Sequence, residues 1–508
     1  MKKLVPFAAA ALAFAPFAHA DDASDAARAY RQANEARIIG DFMSLLSMPN
    51  VATNKADMEV NAEWITAYLA SRGFASETVS AGGAPYIIAE RKVPGATKTL
   101  LIYAHFDGQP VQEEEWASPP FTPTLRDGMV VNGAKTLDMQ EALAGAIDPE
   151  WRLYARSAGD DKAPIIAVAA ALDALDKAGI PPSANIKLLL DGEEEQGNPT
   201  LEAVLAAHKD KLAADILLFC DGPMHQSRQR QLVFGVRGTT EVQITTYGAE
   251  RPLHSGHYGS WAPSPISDLS RLVASMSKED GTLTVKGLDK GLRPVTKAEK
   301  AAIAAMPNID EKLKADLALG RTLGNGQRVE ESVMKPALIV TGFNAGGTGD
   351  RASNTVVPRA TAAINLRLAP GQTPESVREA IDNHIRAQGF FLTEEEPTAD
   401  VRRAHAKVAK VQWGSGYPAF RTDLDSPATR KLIGLLDGID GEATLLTPTM
   451  GGSLPIHMFS TAMPTTPIVI LPVANHDNNQ HGENENMRIQ NLWDAIEIYA
   501  TVIAGYGK

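Results

Sequence analysis

The chain has 508 residues, with 61 Asp plus Glu against 49 Lys plus Arg, and a formal net charge of −12. That acidic balance argues against nucleic acid and anionic membrane as partners, and the single cysteine excludes an intramolecular disulfide. The length exceeds what one hydrophobic core holds, so two domains are expected.

Lys2 and Lys3 precede an apolar run from Leu4 to Phe17, and Ala18-His19-Ala20 is a small-x-small cleavage signal. Residues 1–20 therefore read as a secretory signal peptide, too short and wrongly flanked for a membrane span, with the periplasm as the expected destination. Cleavage would remove two lysines and take the net charge from −12 to −14. Positions 24–46 carry Ala, Arg and Leu at helical spacing, and Met58–Arg72 is an amphipathic helix ending at Gly73. Strands are expected at Ala84–Arg91 and Thr99–Ala104. The second runs into His105-Phe-Asp107, whose two polar side chains share one side of extended backbone. A histidine with a carboxylate to orient it is a metal-ligand pattern.

Residues 109–150 read as loop, with no defensible periodicity between Gly133 and Glu150. Leu153–Lys162 carries Asp160-Asp161 and opens an alanine-rich helix from Ala163 to about Lys177. Strand Asn185–Leu190 leads into Asp191-Gly-Glu193-Glu194-Glu195, and a helix follows to about His208. Strand Asp215–Phe219 leads into Cys220-Asp221, with Cys220 a buried small hydrophobe. Strands alternating with helices predict an α/β catalytic domain with a largely parallel sheet flanked by helices.

From Gln231 to Tyr247 the pattern alternates as a strand. Helices are expected at Pro263–Ser277, Lys297–Met306, Glu311–Leu319 and Pro374–Gln388, with strands at Ala337–Thr341 and Ala360–Leu368. These form an inserted α+β domain over 231–400. The first domain, begun at 21–230, resumes over 401–508 with strand Thr466–Val473 and helix Arg488–Ile503.

Acid or imidazole groups thus recur at successive strand ends: His105/Asp107, Asp160/Asp161, Glu193–Glu195, Asp221 and His481. Singly, each has an ordinary structural reading as a helix cap, an acidic turn or a surface histidine. Together at one sheet edge they would repel one another unless cations neutralised them. Histidine and carboxylate without thiolate suit Zn²⁺, Mn²⁺ or Co²⁺, with room for two ions.

At HFDGQPV (105–111), LYARSAGDDKAP (153–164), DGEEEQGNP (191–199), CDGP (220–223), PLHSGHYG (252–259), SNTVVPR (353–359), INLRLAPGQTPE (364–375), MGGSLPI (450–456) and HGENEN (481–486) the chain resembles the dinuclear-metal aminopeptidase/deacylase family called M20, closest to its carnosinase-like dipeptidases. The resemblance runs over most of residues 30–505. It implies a catalytic domain with an inserted lid domain that mediates homodimerisation. It also implies two divalent metal ions, zinc first with manganese or cobalt as alternatives. His105, Asp160 and Asp221 would hold one ion, and Asp160, Glu195 and His481 the other, with Asp107 orienting His105. Glu194 matches the general base, in a register that the extra acid Glu193 blurs by one residue. His254 matches a residue that stabilises the oxyanion in the partner subunit's site. Asn354 or Thr355 and Arg367 match groups that hold the substrate carboxylate, and Gly452 and Ser453 match loop contacts to substrate.

There are departures. Ala163 stands where relatives often have glycine, and 132–150 has the look of an insertion. Trp413-Gly-Ser-Gly-Tyr417 stands where some relatives carry a histidine. The implied reaction is hydrolysis of an amide bond in a dipeptide or small peptide. The rival substrate is an N-acyl amino acid, and the rival from another class is a non-catalytic metal-dependent peptide binder. A free base such as Glu194 has no use in the latter.

Overall fold

A computed structural model describes residues 20–508; the expected signal peptide lies outside the described residues except for Ala20, which begins a helix, Ala20–Leu46. Among the described residues no helix is long and apolar enough to cross a membrane.

The strand Thr99–His105 is the centre of an eight-stranded sheet. Its order is Ala75–Val79, Tyr86–Arg91, Asn185–Asp191, Thr99–His105, Ile216–Phe219, Ile468–Ile470, Gln231–Val233 and Leu445–Thr447. The four strands around the centre are mutually parallel, whereas the first two run antiparallel to their neighbours. The sheet is therefore mixed, with a parallel core.

The continuous apolar run of Thr99–His105 has a direct cause: both faces of the strand are covered. Leu100, Ile102 and Ala104 point into a core shared with the helices Ala20–Leu46, Ala163–Ala178 and Ile489–Gly505. Leu101 and Tyr103 point the other way, into a second core with Leu201–Ala207 and Ile456–Ala462. There Tyr103 stacks on Phe219 at 4.1 Å between centroids, and Phe459 meets both rings edge-on.

A second sheet has the order Ala337–Asn344, Arg359–Leu368, Gly238–Tyr247, Val408–Tyr417, Phe391–Thr393. One face is apolar and packs on the amphipathic helices Pro265–Ala274 and Pro374–Ala387 through Val242, Ile244, Leu269, Ile364 and Ile381. This sheet runs from Gly238 to Tyr417, starting inside the expected boundary at 231 and ending beyond the one at 400. Gln231–Val233 stays in the large sheet, and the expected continuous strand 231–247 breaks around Phe234 and Arg237. Ala409 and Val411 fill the core of the second sheet. The segment 133–150 contains a six-residue helix, Met139–Ala144, capped by Asp138. It is too short to leave a periodicity. Leu137, Met139 and Leu143 pack it onto the main core.

Candidate metal centre

The parallel strands deliver their ends to one edge, where ligands bind in α/β folds. His105 closes its strand with no exposed surface. Its Nε2 lies 2.7 Å from Asp160 Oδ1 and 4.0 Å from Asp221 Oδ2, and its Nδ1 lies 3.2 Å from Asp107 Oδ1. The other oxygen of Asp160 faces His481, with Oδ2 3.2 Å from Nε2. His481 Nε2 is also 3.3 Å from Glu195 Oε2. Asp160 is thus placed between two imidazoles, one for each carboxylate oxygen. Two groups of three donors result, with ligand atoms within 4.8 Å of one another: His105, Glu194 and Asp221, and Asp160, Glu195 and His481. The expected grouping had Asp160, not Glu194, beside His105 and Asp221; the 2.7 Å contact to His105 lets Asp160 belong to both sets.

Glu194 and Glu195 differ in how they are held. Gln109 Nε2 donates to Glu195 Oε2 at 2.8 Å, whereas the Glu194 carboxyl is governed first by burial and then by the charges of His105, Asp221 and Asp160. Their backbones are pinned together, because Asp107 Oδ1 accepts from Glu194 N at 3.1 Å and Oδ2 from Glu195 N at 3.0 Å. Glu193 turns the other way. Its carboxylate is 1% exposed and accepts from Ala84 N at 3.1 Å, the Tyr86 hydroxyl at 2.7 Å and Thr200 N at 3.0 Å, with the Thr200 hydroxyl as a further donor. That is a structural anchor, and it separates Glu193 from its two neighbours. The turn needs Gly192, since a Cβ there would overlap the Pro85 carbonyl.

One supporting residue escaped sequence reasoning. Glu485, 1% exposed, accepts from Gly159 N and Asp160 N at 2.9 Å each through Oε1. Through Oε2 it accepts from Ser157 N at 2.9 Å and Arg156 Nη1 at 2.8 Å. It shapes the loop that carries Asp160. The signal was its place in HGENEN, but an acid in a polar loop ordinarily reads as solvated. His481, in the same segment, has φ of +64°, a region that non-glycine residues occupy mainly where surrounding contacts over-determine it.

The electrostatics call for cations. Burial first, and Asp160 second, pushes Asp221 and Glu195 up to about 7 each. Burial also holds Glu194 well above the usual carboxyl range. The Asp160 hydrogen bond lifts His481 to about 9. For His105, burial acts downward, but hydrogen bonds that the ring makes to the Asp107 and Asp160 carboxylates outweigh it and hold the imidazole well above its ordinary value. Two carboxylates 4 Å apart repel by about 4 kcal/mol at an effective dielectric of 20. A set of four such groups with two imidazoles and no thiolate fits hard or borderline divalent metal ions.

The remaining expected residues fall into two places. Arg367 Nη1 donates to Ser453 Oγ at 3.1 Å, so the second sheet touches the loop of Gly452 and Ser453. His254 pairs with Thr355 in a short ribbon, and Ser255 N donates to Asn354 O at 2.9 Å. The His254 ring lies exposed, accepting from Gly256 N at 3.1 Å and resting against His257. Among the described residues, no hydrogen bond or ion pair joins this ribbon to the metal-ligand cluster.

Comparison with known proteins identifies the family and the fold. Residues 101–505 match the model of Peptidase family M20/M25/M40. The chain is 24% identical over 430 residues to a Cys-Gly metallodipeptidase of Schizosaccharomyces pombe, covering 82% of each chain. It is 25% identical over 431 residues to the Beta-Ala-His dipeptidase of Mus musculus, covering 81% of this chain and 77% of that one. The fold is similar to that of an M20 family metallo-carboxypeptidase, Sso-CP2, from Sulfolobus solfataricus. There the TM-score is 0.72 at 24% identity, over 92% of this chain and 99% of the other.

Proposed function

The chain belongs to peptidase family M20/M25/M40, and from that premise we propose that it is a metal-dependent dipeptidase acting on dipeptides with a free carboxyl end. The observation that carries the reading is Asp160, with one carboxylate oxygen toward His105 and the other toward His481. Such a carboxylate suits a bridge between two divalent ions, with zinc first and manganese or cobalt as alternatives. His105, Asp160 and Asp221 would hold one ion, and Asp160, Glu195 and His481 the other. Bound there, the ions would polarise the scissile carbonyl and lower the pKa of water.

The chain's own residues do the rest. Glu194, whose backbone N–H is held by Asp107, takes a proton from the attacking water and delivers it to the leaving amine. Asp107 holds the His105 ring and the Glu194 backbone in one geometry. Arg367 and the Gly452-Ser453 loop take the substrate's terminal carboxylate, with Asn354 or Thr355 contributing from the lid ribbon. The partner subunit's His254 donates to the developing oxyanion.

Homodimerisation fits the surface of the second sheet. Its edge strand Ala337–Asn344 leaves Ile339, Val340 and Phe343 exposed at 42–47%, and Trp261 is 83% exposed. An apolar open edge of this kind is a template for association. Export to the periplasm rests on the Lys2-Lys3 start, the Leu4–Phe17 run and the Ala18-His19-Ala20 signal. N-terminal sequencing of the exported protein would then begin at Asp21.

The activity is tested on a panel of dipeptides and N-acetylated amino acids with protein loaded with Zn²⁺, Mn²⁺ or Co²⁺. Dipeptides should be turned over well ahead of the acylated amino acids. The reverse order would replace the dipeptidase reading with that of a deacylase.

A further inference from the structure

Where the two sheets meet, two arginines stand together without an acid. Ser453 Oγ donates to the Arg237 carbonyl at 2.8 Å and accepts from Arg367 Nη1 at 3.1 Å, so it links the two residues. Arg237 is 8% exposed. Its Nη2 donates to the Lys335 carbonyl at 3.1 Å, and its Nε is buried with no partner. Among the described residues, the charged group that acts on its guanidinium is Arg367, a like charge, and the Arg367 head donates to the Ser453 hydroxyl. Burial first, and Arg367 second, brings Arg237 down to about 10.

Along the lid sheet, Thr239 is paired with Arg367 on one side and Tyr417 on the other, so these three side chains line one face. Tyr417 stacks on His457, with centroids 4.6 Å apart and planes 3° apart. His457 Nδ1 is buried and unpartnered, and burial lowers the His457 pKa, so this wall adds no anion.

Buried guanidinium groups are normally paired with carboxylates, because an unpaired charge in the interior is costly. Among the described residues none stands against the buried Arg237, and the half-buried Arg367 meets the Ser453 hydroxyl instead. A substrate's terminal carboxylate satisfies one planar fork, and the reading of Arg367 as its holder, on which this inference rests, leaves Arg237 over. We propose that Arg237 is a specificity residue that binds a second carboxylate, so that the preferred substrates are dipeptides whose C-terminal residue is aspartate or glutamate.

The test compares kcat/KM of the metal-loaded enzyme for Ala-Glu against Ala-Gln and Ala-Asp against Ala-Asn, pairs that differ in charge more than in shape. The acidic member should lead by about tenfold or more, the scale of a charge-assisted hydrogen bond, with the difference carried by KM. Arg237→Met should bring both ratios toward one, and Arg237→Lys should keep part of the preference. Calorimetric binding of free glutamate against free glutamine reads the same subsite without turnover, and it does so on the wild-type protein. Glutamate should bind about tenfold tighter or more. Equal kcat/KM for the acidic and amide substrates would overturn the inference while leaving the dipeptidase reading in place. So would an Arg237→Met variant that slows all substrates alike with its ratios intact, since Arg237 would then serve only structure or the terminal carboxylate. If no dipeptide is hydrolysed but glutamate still binds preferentially, the subsite stands and the dipeptidase reading falls. Equal binding of the two amino acids overturns the subsite whatever the activity.

Discussion

Asp107 Oδ1 accepts the backbone N–H of Glu194 at 3.1 Å, so the residue that orients the His105 ring also sets the position of the proposed base. The same carboxylate accepts from Glu195 N at 3.0 Å. Two turns that follow different strands are thereby locked to each other beneath the metal-ligand cluster. Asp107→Asn should break this double acceptance, because an amide offers only one oxygen. We expect metal affinity or kcat to fall by about 10–100-fold, the range for residues that support a ligand. Calorimetric metal titration and steady-state kinetics check it, and wild-type values for both would remove Asp107 from this role.

The Glu193-Glu194-Glu195 run separates into three phenotypes. Glu194→Gln should lower kcat by at least ~10²-fold with metal content retained. Glu195→Gln should lose metal. Glu193→Gln should keep metal and lower stability by about 1.5–3 kcal/mol, since it weakens charge-assisted bonds to a buried carboxylate. Metal analysis beside thermal unfolding distinguishes the three. A Glu194 variant that loses metal and a Glu195 variant that keeps it would exchange the two roles.

Much of this was legible beforehand, for reasons visible in particular residues. Leu100–Ala104 is apolar at every position because both faces of that strand are buried, and the chemistry-bearing side chains stand where apolar runs stop. Glu193 and Glu485 were not legible. Both are acids in polar turns, and only tertiary packing shows that four donors surround each. Arg237 was hidden for a related reason: it lies in a short break between strands of two different sheets, where one arginine carries no pattern. Val408–Tyr417 pairs with Gly238–Tyr247, a partner far away in sequence that no local pattern announces.

Acid should weaken metal binding. In the metal-free chain Asp221 and Glu195 sit at about 7, by burial and then Asp160, and His481 at about 9 by its Asp160 hydrogen bond. Below pH 7 both carboxyls are mostly protonated and the imidazole is charged, whereas the ligating forms are the anions and the neutral ring. Ion binding must therefore expel protons, and affinity drops about tenfold per pH unit for each proton displaced. Calorimetry at pH 6 in buffers of different ionisation enthalpy counts them. A count of zero would contradict the proposed ligand set.

His254 lies on an exposed ribbon with its ring against Gly256 and His257, and a donor must come within about 2.7–3.1 Å of the oxyanion to serve it. The proposed dimer resolves this by letting each lid serve the other subunit. His254→Ala and Glu194→Gln homodimers should each be nearly inactive. After dissociation and remixing, half the dimers are mixed, and each of those carries one intact site, so about a quarter of wild-type activity should return. A mixture that forms heterodimers and stays inactive would assign His254 to its own site or to none.

The central claim is that Asp160 joins two divalent ions in one hydrolytic site, and metal titration of chelator-stripped protein tests it most directly. The large sheet is held by apolar cores on both faces, so circular dichroism should persist through stripping, unlike that of a domain folded by its metal. Dipeptide hydrolysis should vanish on stripping and return in proportion to added cation until two equivalents per chain are bound. Activity that survives stripping, or that saturates at one ion per chain, would contradict the account.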